Sequence, residues 1–294
     1  MDSTVIFTVV SLSSLGALSA VILYIVAQKF KVFEDPRIEE VQNALPGANC
    51  GGCGFAGCRN FAEALVKAES FEGLNCPVGG ASLMGDVAKL LGREAIAVDP
   101  LIAVVRCNGT PVHRPRTSVY DGISNCRAAH SLYAGETACG YGCLGLGDCV
   151  VACQFDAMYM DPVTELPVII DDKCVACGAC VKACPRTIIE LRKKAKKDRK
   201  LYVSCVNKDK GGPAKKACNV ACIGCGKCFK VCEYGAITIE NNLAFIDSTK
   251  CVFCRKCVPE CPTDAILEIN FPPRKEKVEE KASGETTAQN KTQE

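Results

Sequence analysis

Apolar and polar positions follow different periods in different parts of this chain. Residues 5–27 form an unbroken uncharged run rich in Val, Leu, Ile and Ala. As a helix rising 1.5 Å per residue, the run would span roughly 35 Å, enough to cross a hydrocarbon core of about 30 Å with some tilt. A secretory signal would want a basic start and a shorter apolar stretch, whereas this chain opens Met1-Asp2-Ser3. The pattern therefore predicts a membrane anchor. Lys29 and Lys31 follow it and only Asp2 precedes it, a bias that places the rest of the chain on the cytoplasmic side. Small residues at Ser13, Gly16 and Ala20 would let another helix approach closely. A single helix offers no ion pathway of its own.

Beyond the anchor the apolar signals are short. After a polar, acidic stretch at 34–40, helical periodicity covers 60–70 and 82–91, and strand-like runs fall at 101–106, 187–191 and 236–240. Residues 192–200 carry seven basic side chains, read either as a solvated linker or extended hairpin, or as a landing site for an acidic electron carrier or anionic lipid. Nucleic acid is disfavoured, because no aromatic residues interleave with the charges and no binding motif is present. From Pro272 onward, Lys, Glu, Thr and Gln dominate, and a disordered tail is expected.

The apolar runs are too short to build large cores, and composition supplies the alternative. The 294 residues include 24 cysteines, two histidines and no tryptophan, with a net charge of +2. Tight cysteine runs suit metal clusters better than a disulfide framework, and thiolate-held clusters need a reducing compartment. Residues 222–261 read Cys222-x2-Cys225-x2-Cys228-x3-Cys232, then Cys251-x2-Cys254-x2-Cys257-x3-Cys261-Pro262. This is the spacing of a bacterial ferredoxin with two [4Fe–4S] clusters, in which the fourth cysteine of each run serves the other cluster. One cluster then takes Cys222, Cys225, Cys228 and Cys261, and the other takes Cys251, Cys254, Cys257 and Cys232.

A second such unit lies upstream, regular at Cys174-x2-Cys177-x2-Cys180-x3-Cys184-Pro185 and irregular at Cys139-x3-Cys143-x5-Cys149-x3-Cys153. The same rule assigns Cys139, Cys143, Cys149 and Cys184 to one cluster, and Cys174, Cys177, Cys180 and Cys153 to the other. The insertions leave the first of these sets open. A fifth site reads Cys50-x2-Cys53-x4-Cys58 with Cys76-Pro77, among glycines that let the backbone curl and aim N–H groups at sulfur. Zinc is the competing reading of this site. Cys107, Cys126, Cys205 and Cys218 fall in no recognisable spacing, being either buried thiols or the ligands of a sixth cluster.

The expected fold is α+β: a transmembrane helix (1–30), a small [4Fe–4S] domain (31–95), two ferredoxin-like 2[4Fe–4S] modules (96–191 and 192–271) and a tail (272–294). Each cysteine run is expected to open a short helix and end near a strand in a βαβ-like unit. No phosphate-binding glycine signature and no acid–base pair is evident, which argues against NAD or flavin binding and against bond-making catalysis in this chain.

The ordered combination of one N-terminal helix, Cys-Gly-Gly-Cys-Gly-x2-Gly-Cys with a distal Cys-Pro, and tandem ferredoxin units resembles the B-subunit family of the Rnf complex. Residues 139–155 look like its longer form. Gln154 and Glu233 depart from the proline that usually follows the fourth cysteine. The resemblance implies an electron relay at the inner (cytoplasmic) membrane. Reduced ferredoxin would be the donor, flavin- and cluster-bearing subunits the partners and NAD+ the final acceptor, with Na+ or H+ moved across the membrane. A relay in another anaerobic reductase, of heterodisulfide-reductase type, and a zinc-stabilised scaffold are the rival readings.

Overall fold

A computed structural model of the chain describes residues 3–29, 35–94, 99–132 and 135–274. Helix α1 (Ser3–Lys29) is long and apolar enough to cross a membrane, and none of it is buried against the remainder. The hydroxyls of Thr8, Ser11 and Ser14 donate to the carbonyls of Val5, Thr8 and Ser11 at 2.9, 3.1 and 2.9 Å, the internal pairing that a helix in lipid favours.

Three helices make the next unit. Pro36 opens α2 (Pro36–Ala44), with the Asp35 carboxylate accepting the Arg37 N–H at 3.0 Å as an N-cap. α3 (Cys58–Lys67) and α4 (Gly80–Leu90) follow, matching the helices expected at 60–70 and 82–91 to within about two residues at most ends. Ile38, Val41, Phe61, Leu65, Met84 and Val87 close into one apolar core. Arg93 ends the unit by donating to the Leu65 and Val66 carbonyls at 2.6 and 3.0 Å, which satisfies the free end of α3.

The rest is two similar modules. The first contains β1 (Leu101–Val105), α5 (Cys126–Leu132), α6 (Asp148–Val151), β2 (Met158–Met160), β3 (Pro167–Ile169), α7 (Ala179–Ala183) and β4 (Ile189–Lys193). The second contains β5 (Lys200–Val203), α8 (Gly211–Ala217), α9 (Lys227–Lys230), β6 (Ile237–Glu240), β7 (Leu243–Ile246) and β8 (Ile266–Ile269). The outer strands of each pair with one another, β1 with β4 and β5 with β8, and the inner hairpins β2–β3 and β6–β7 form separate sheets. All four pairs are antiparallel, so the expected βαβ-like arrangement is corrected. The helices between strands are too short to carry a parallel crossover. The two module cores are mostly cysteine, alanine and β-branched residues.

β4 crosses the expected boundary at 191/192, and Arg192 and Lys193 pair with Ile102 and Leu101. The basic run is therefore not a free linker. Arg192 is buried, Lys193 pairs with Asp99 at 2.8 Å, Lys194 with Asp198 at 3.2 Å, and Lys200 with Asp171. The boundary expected near residue 96 and most of the expected tail lie outside the described residues.

Candidate iron–sulfur centres

The short helices α5, α6, α7 and α9 begin beside cysteines, and α8 ends at Cys218. Gly147, Gly178 and Gly226 sit at φ of 77–80° immediately before α6, α7 and α9, a left-handed conformation that glycine adopts without strain. The turn swings each helix start toward the sulfurs. Backbone N–H groups then donate to thiols: Ala244 to Cys222 Sγ at 3.4 Å, Ala265 to Cys261 Sγ at 3.3 Å, and Gly145 to Cys143 Sγ at 3.4 Å. Such donors stabilise thiolate charge and tune cluster potentials.

The structure gathers Cys222, Cys225, Cys228 and Cys261 around one cavity, and Cys153, Cys174, Cys177 and Cys180 around another. Burial first, and then the neighbouring sulfurs of its own set, push the Cys228 thiol up to about 11 and the Cys180 thiol up to about 11. Cys257 is likewise pushed to about 12 by burial, then by Cys251, Cys228 and Cys254, while Cys251 feels Cys254 and Cys232. In the N-terminal unit, burial raises the Cys76 thiol, with Cys53 and Cys50 as lesser contributors, and Cys53 and Cys58 pack on the same core. Thiolates this close together would repel one another, and it is binding of a cation that favours loss of their protons.

One cavity gathers different cysteines from those the spacing suggested. Cys143, Cys149 and Cys184 share their cavity with Cys126, not with Cys139. Burial and then the Cys126 and Cys184 sulfurs raise Cys149 to about 12. The cause is Asp148 at the start of α6. Its carboxylate accepts the N–H groups of Cys126 at 2.9 Å and Arg127 at 3.3 Å, binding the start of α5 to α6. Cys139 turns away and lines a different cavity with Cys107, Cys205 and Cys218. The sequence did carry a signal for this. Cys107 lies two residues beyond β1 as Cys205 lies two beyond β5, and Cys139-x3-Cys143 is matched by Cys218-x3-Cys222.

The sulfurs ring cavities rather than converge on a point. Among the described residues no three His, Cys, Asp or Glu side chains could hold one metal ion, whereas four separate hollows are each lined by four cysteines. A zinc ion needs its thiolates at about 2.3 Å from a common centre. A cubane needs one thiolate at each of four separated corners.

Residues 45–78 match a family model described as a putative Fe–S cluster, and residues 138–188 and 221–265 match one described as a 4Fe–4S dicluster domain. The chain is 42% identical over 266 residues to the B subunit of the Na(+)-translocating ferredoxin:NAD(+) oxidoreductase complex of Acetobacterium woodii, covering 90% of this chain and 78% of that protein. It is 42% identical to the B subunit of the ion-translocating oxidoreductase complex of Methanosarcina acetivorans, covering 90% and 99% respectively. The B subunit of a proton-translocating ferredoxin:NAD(+) oxidoreductase complex from Clostridium ljungdahlii is 42% identical over 269 residues, covering 91% of this chain and 93% of that protein.

Proposed function

This chain belongs to the family of B subunits of ion-translocating (Rnf) oxidoreductase complexes, and from that we propose the particular part it plays. It takes electrons from reduced ferredoxin and hands them through its clusters to partner subunits that deliver them to NAD+, while the complex moves Na+ or H+. As an iron–sulfur electron relay it works within a multi-subunit assembly. α1 passes once through the membrane, with Lys29 in its last turn on the cytoplasmic side.

What carries this reading is that adjacent cysteine sets face one another. Gly52, between Cys50 and Cys53, packs so closely on Cys177 that an added Cβ would lie 3.0 Å from the Cys177 Cα. Cys180 acts on Cys149 across two sets of the first module, and Cys228 acts on Cys257 across two sets of the second. Clusters held there would exchange single electrons between neighbours, and the protein's task is to fix spacing, hydrogen bonding and burial.

We place the arrival of electrons at the second module, where Cys225 and Cys254 are exposed. Phe271 stands beside Phe253, next to Cys254 in sequence, and both Arg199 and Arg255 lie over its ring, at 5.6 and 5.0 Å. Together with exposed Lys196 and Lys197 these cations offer an acidic carrier a basic rim. The test is rapid anaerobic mixing of the full chain with reduced ferredoxin, following loss of visible cluster absorption. Clusters that dithionite bleaches and ferredoxin does not would remove ferredoxin as the donor.

A further inference from the structure

One cavity on the first module is built of different residues from the cysteine-lined hollows. Its volume is about 330 Å³, enough for a small molecule, and Cys143 is the one cysteine in its described lining. Its charged groups fall into two kinds. At the rim they satisfy one another. Arg116, half exposed, pairs with Glu136 at 3.2 Å and Glu165 at 2.8 Å. Asp161 accepts the Val163 N–H at 3.0 Å and the Thr164 hydroxyl at 2.8 Å.

The inner wall is basic and unsatisfied. Arg186 is 8% exposed, and its Nη1 donates to the carbonyls of Cys139 at 3.2 Å and Gly142 at 2.7 Å. Its Nε and Nη2 are buried without a hydrogen-bond partner among the described residues. Nη2 is turned toward the Gly135 side of the cavity, where an added Cβ would lie 3.1 Å from it. Gly135 sits at φ 108°, a conformation that glycine alone adopts without strain, and it leaves this nitrogen uncovered. Arg114, also 8% exposed and with Nε unpartnered among the described residues, stands in the same lining. Among the described residues no carboxylate pairs with either arginine. Two neighbouring buried cations with unused donors are costly unless an anion sits against them.

We propose that this cavity binds a small molecule through a carboxylate or phosphate group seated against Arg186 and Arg114. A guanidinium fork grips either oxyanion through paired N–H donors. The remainder of the molecule lies along Leu144, Leu146 and Met160 toward the rim. The rim carboxylates repel a second anionic end, so the ligand carries its charge at one end only. The cavity also shares Cys143, Leu144, Met160 and Arg186 with the hollow of Cys126, Cys143, Cys149 and Cys184. One consequence rests on the iron–sulfur reading above. An anion against Arg186 offsets its charge and so disfavours an added electron on the adjacent cluster, lowering that cluster's potential. The ligand itself is neither oxidised nor reduced.

The test is isothermal titration calorimetry of the full-length protein, purified anaerobically in detergent at low ionic strength, with butyrate and glycerol 3-phosphate as separate probes. Saturable one-site binding of either is expected, and the tighter probe identifies the head group. Arg186→Gln should weaken that binding about tenfold or more. Because Arg186 also holds the Cys139 and Gly142 carbonyls, a second variant keeps both arginines. Thr137→Trp fills the cavity from its half-buried edge and should abolish binding. No saturable binding of either probe, or wild-type binding in whichever variant accumulates, would overturn the site. A redox titration followed by electron paramagnetic resonance should show one midpoint potential falling when the bound probe is present. Binding without that fall would overturn the coupling and leave the relay intact, whereas a protein without iron would overturn the relay.

Discussion

Arg106 and Arg192 meet over one ring, each guanidinium 5.2 Å from the centre of Phe245. Arg106 reaches from the first module to the Val203 and Cys205 carbonyls of the second at 3.2 and 3.1 Å and pairs with Glu190 at 3.1 Å. Arg192 donates to the carbonyls of Leu201 and Ile246 and pairs with the same Glu190. These two side chains bolt the modules together and hold Cys205 at the junction. Removing either strands a half-buried carboxylate and several carbonyls, and breaking such pairs costs on the order of 3 kcal/mol. Arg192→Met should accordingly lower the denaturant midpoint for loss of cluster absorption, and Arg192→Lys should not rescue it, since one ammonium cannot reach both carbonyls. A wild-type midpoint in either variant would contradict the bolt.

Glu268 is a residue whose charge matters by pH. Hydrogen bonds from Arg255 at 2.6 and 2.7 Å, and then from Arg274, hold its carboxyl at about 2, well below the usual range. A folded value depressed below the unfolded one contributes stability that is complete above about 4.5 and fades as pH falls toward 2. For a surface-edge pair the contribution is about 1 kcal/mol. The stability difference between wild type and Glu268→Gln should thus stay constant from pH 8 to pH 5.5, on the linkage argument for a group already fully ionised at roughly these values. A difference that shrinks within this window would mean another group is titrating.

At the scale of elements, close approach decides more than propensity. A Cβ at Gly52 would lie 2.8 Å from the Pro77 ring and 3.0 Å from both the Cα and the carbonyl oxygen of Cys177. Backbone cannot give way as a flexible side chain can, so Gly52→Ala should cost about 1–3 kcal/mol in the contact between the N-terminal unit and the first module. Hydrogen exchange at the amides of residues 50–54 and 176–178 should report it, and identical exchange rates in the variant would show that the contact is loose. The same scale explains what could be read from the chain beforehand. The C-x2-C-x2-C-x3-C runs, α1, α3 and α4 are local patterns, and each is legible in a few residues. Pairing β1 with β4, and β5 with β8, joins segments far apart in sequence, so nothing nearby announces it. That pairing delivers Cys107 and Cys205 to the junction. The Asp148 cap on α5 brings Cys126 in place of Cys139, and a carboxylate reaching over twenty residues back leaves no spacing rule for Cys126 itself; the one trace was the match of Cys139-x3-Cys143 to Cys218-x3-Cys222.

At the scale of the whole molecule, the proposed relay would run through the cysteine sets as a succession with distinct ends. One end is the N-terminal unit, joined in sequence to the apolar helix, and the other is the set of Cys232, Cys251, Cys254 and Cys257 beside the aromatic and basic edge at Phe253, Arg255 and Phe271. If a negatively charged donor docks at that edge, its approach should depend on the few cations that remain free there. Lys193 and Lys194 are held by Asp99 and Asp198, which leaves exposed Lys196 and Lys197 as the main contributors from the basic run. Exchanging both for Gln should slow second-order reduction by ferredoxin on the order of 3–10-fold at low ionic strength. The deficit should vanish as added salt shortens the screening length to a few ångströms. The equilibrium extent of reduction should not change, because neither lysine touches a cysteine set. Equal rates at every salt concentration would move the docking site away from this edge, and a lowered extent of reduction would mean that the lysines act on cluster potential instead.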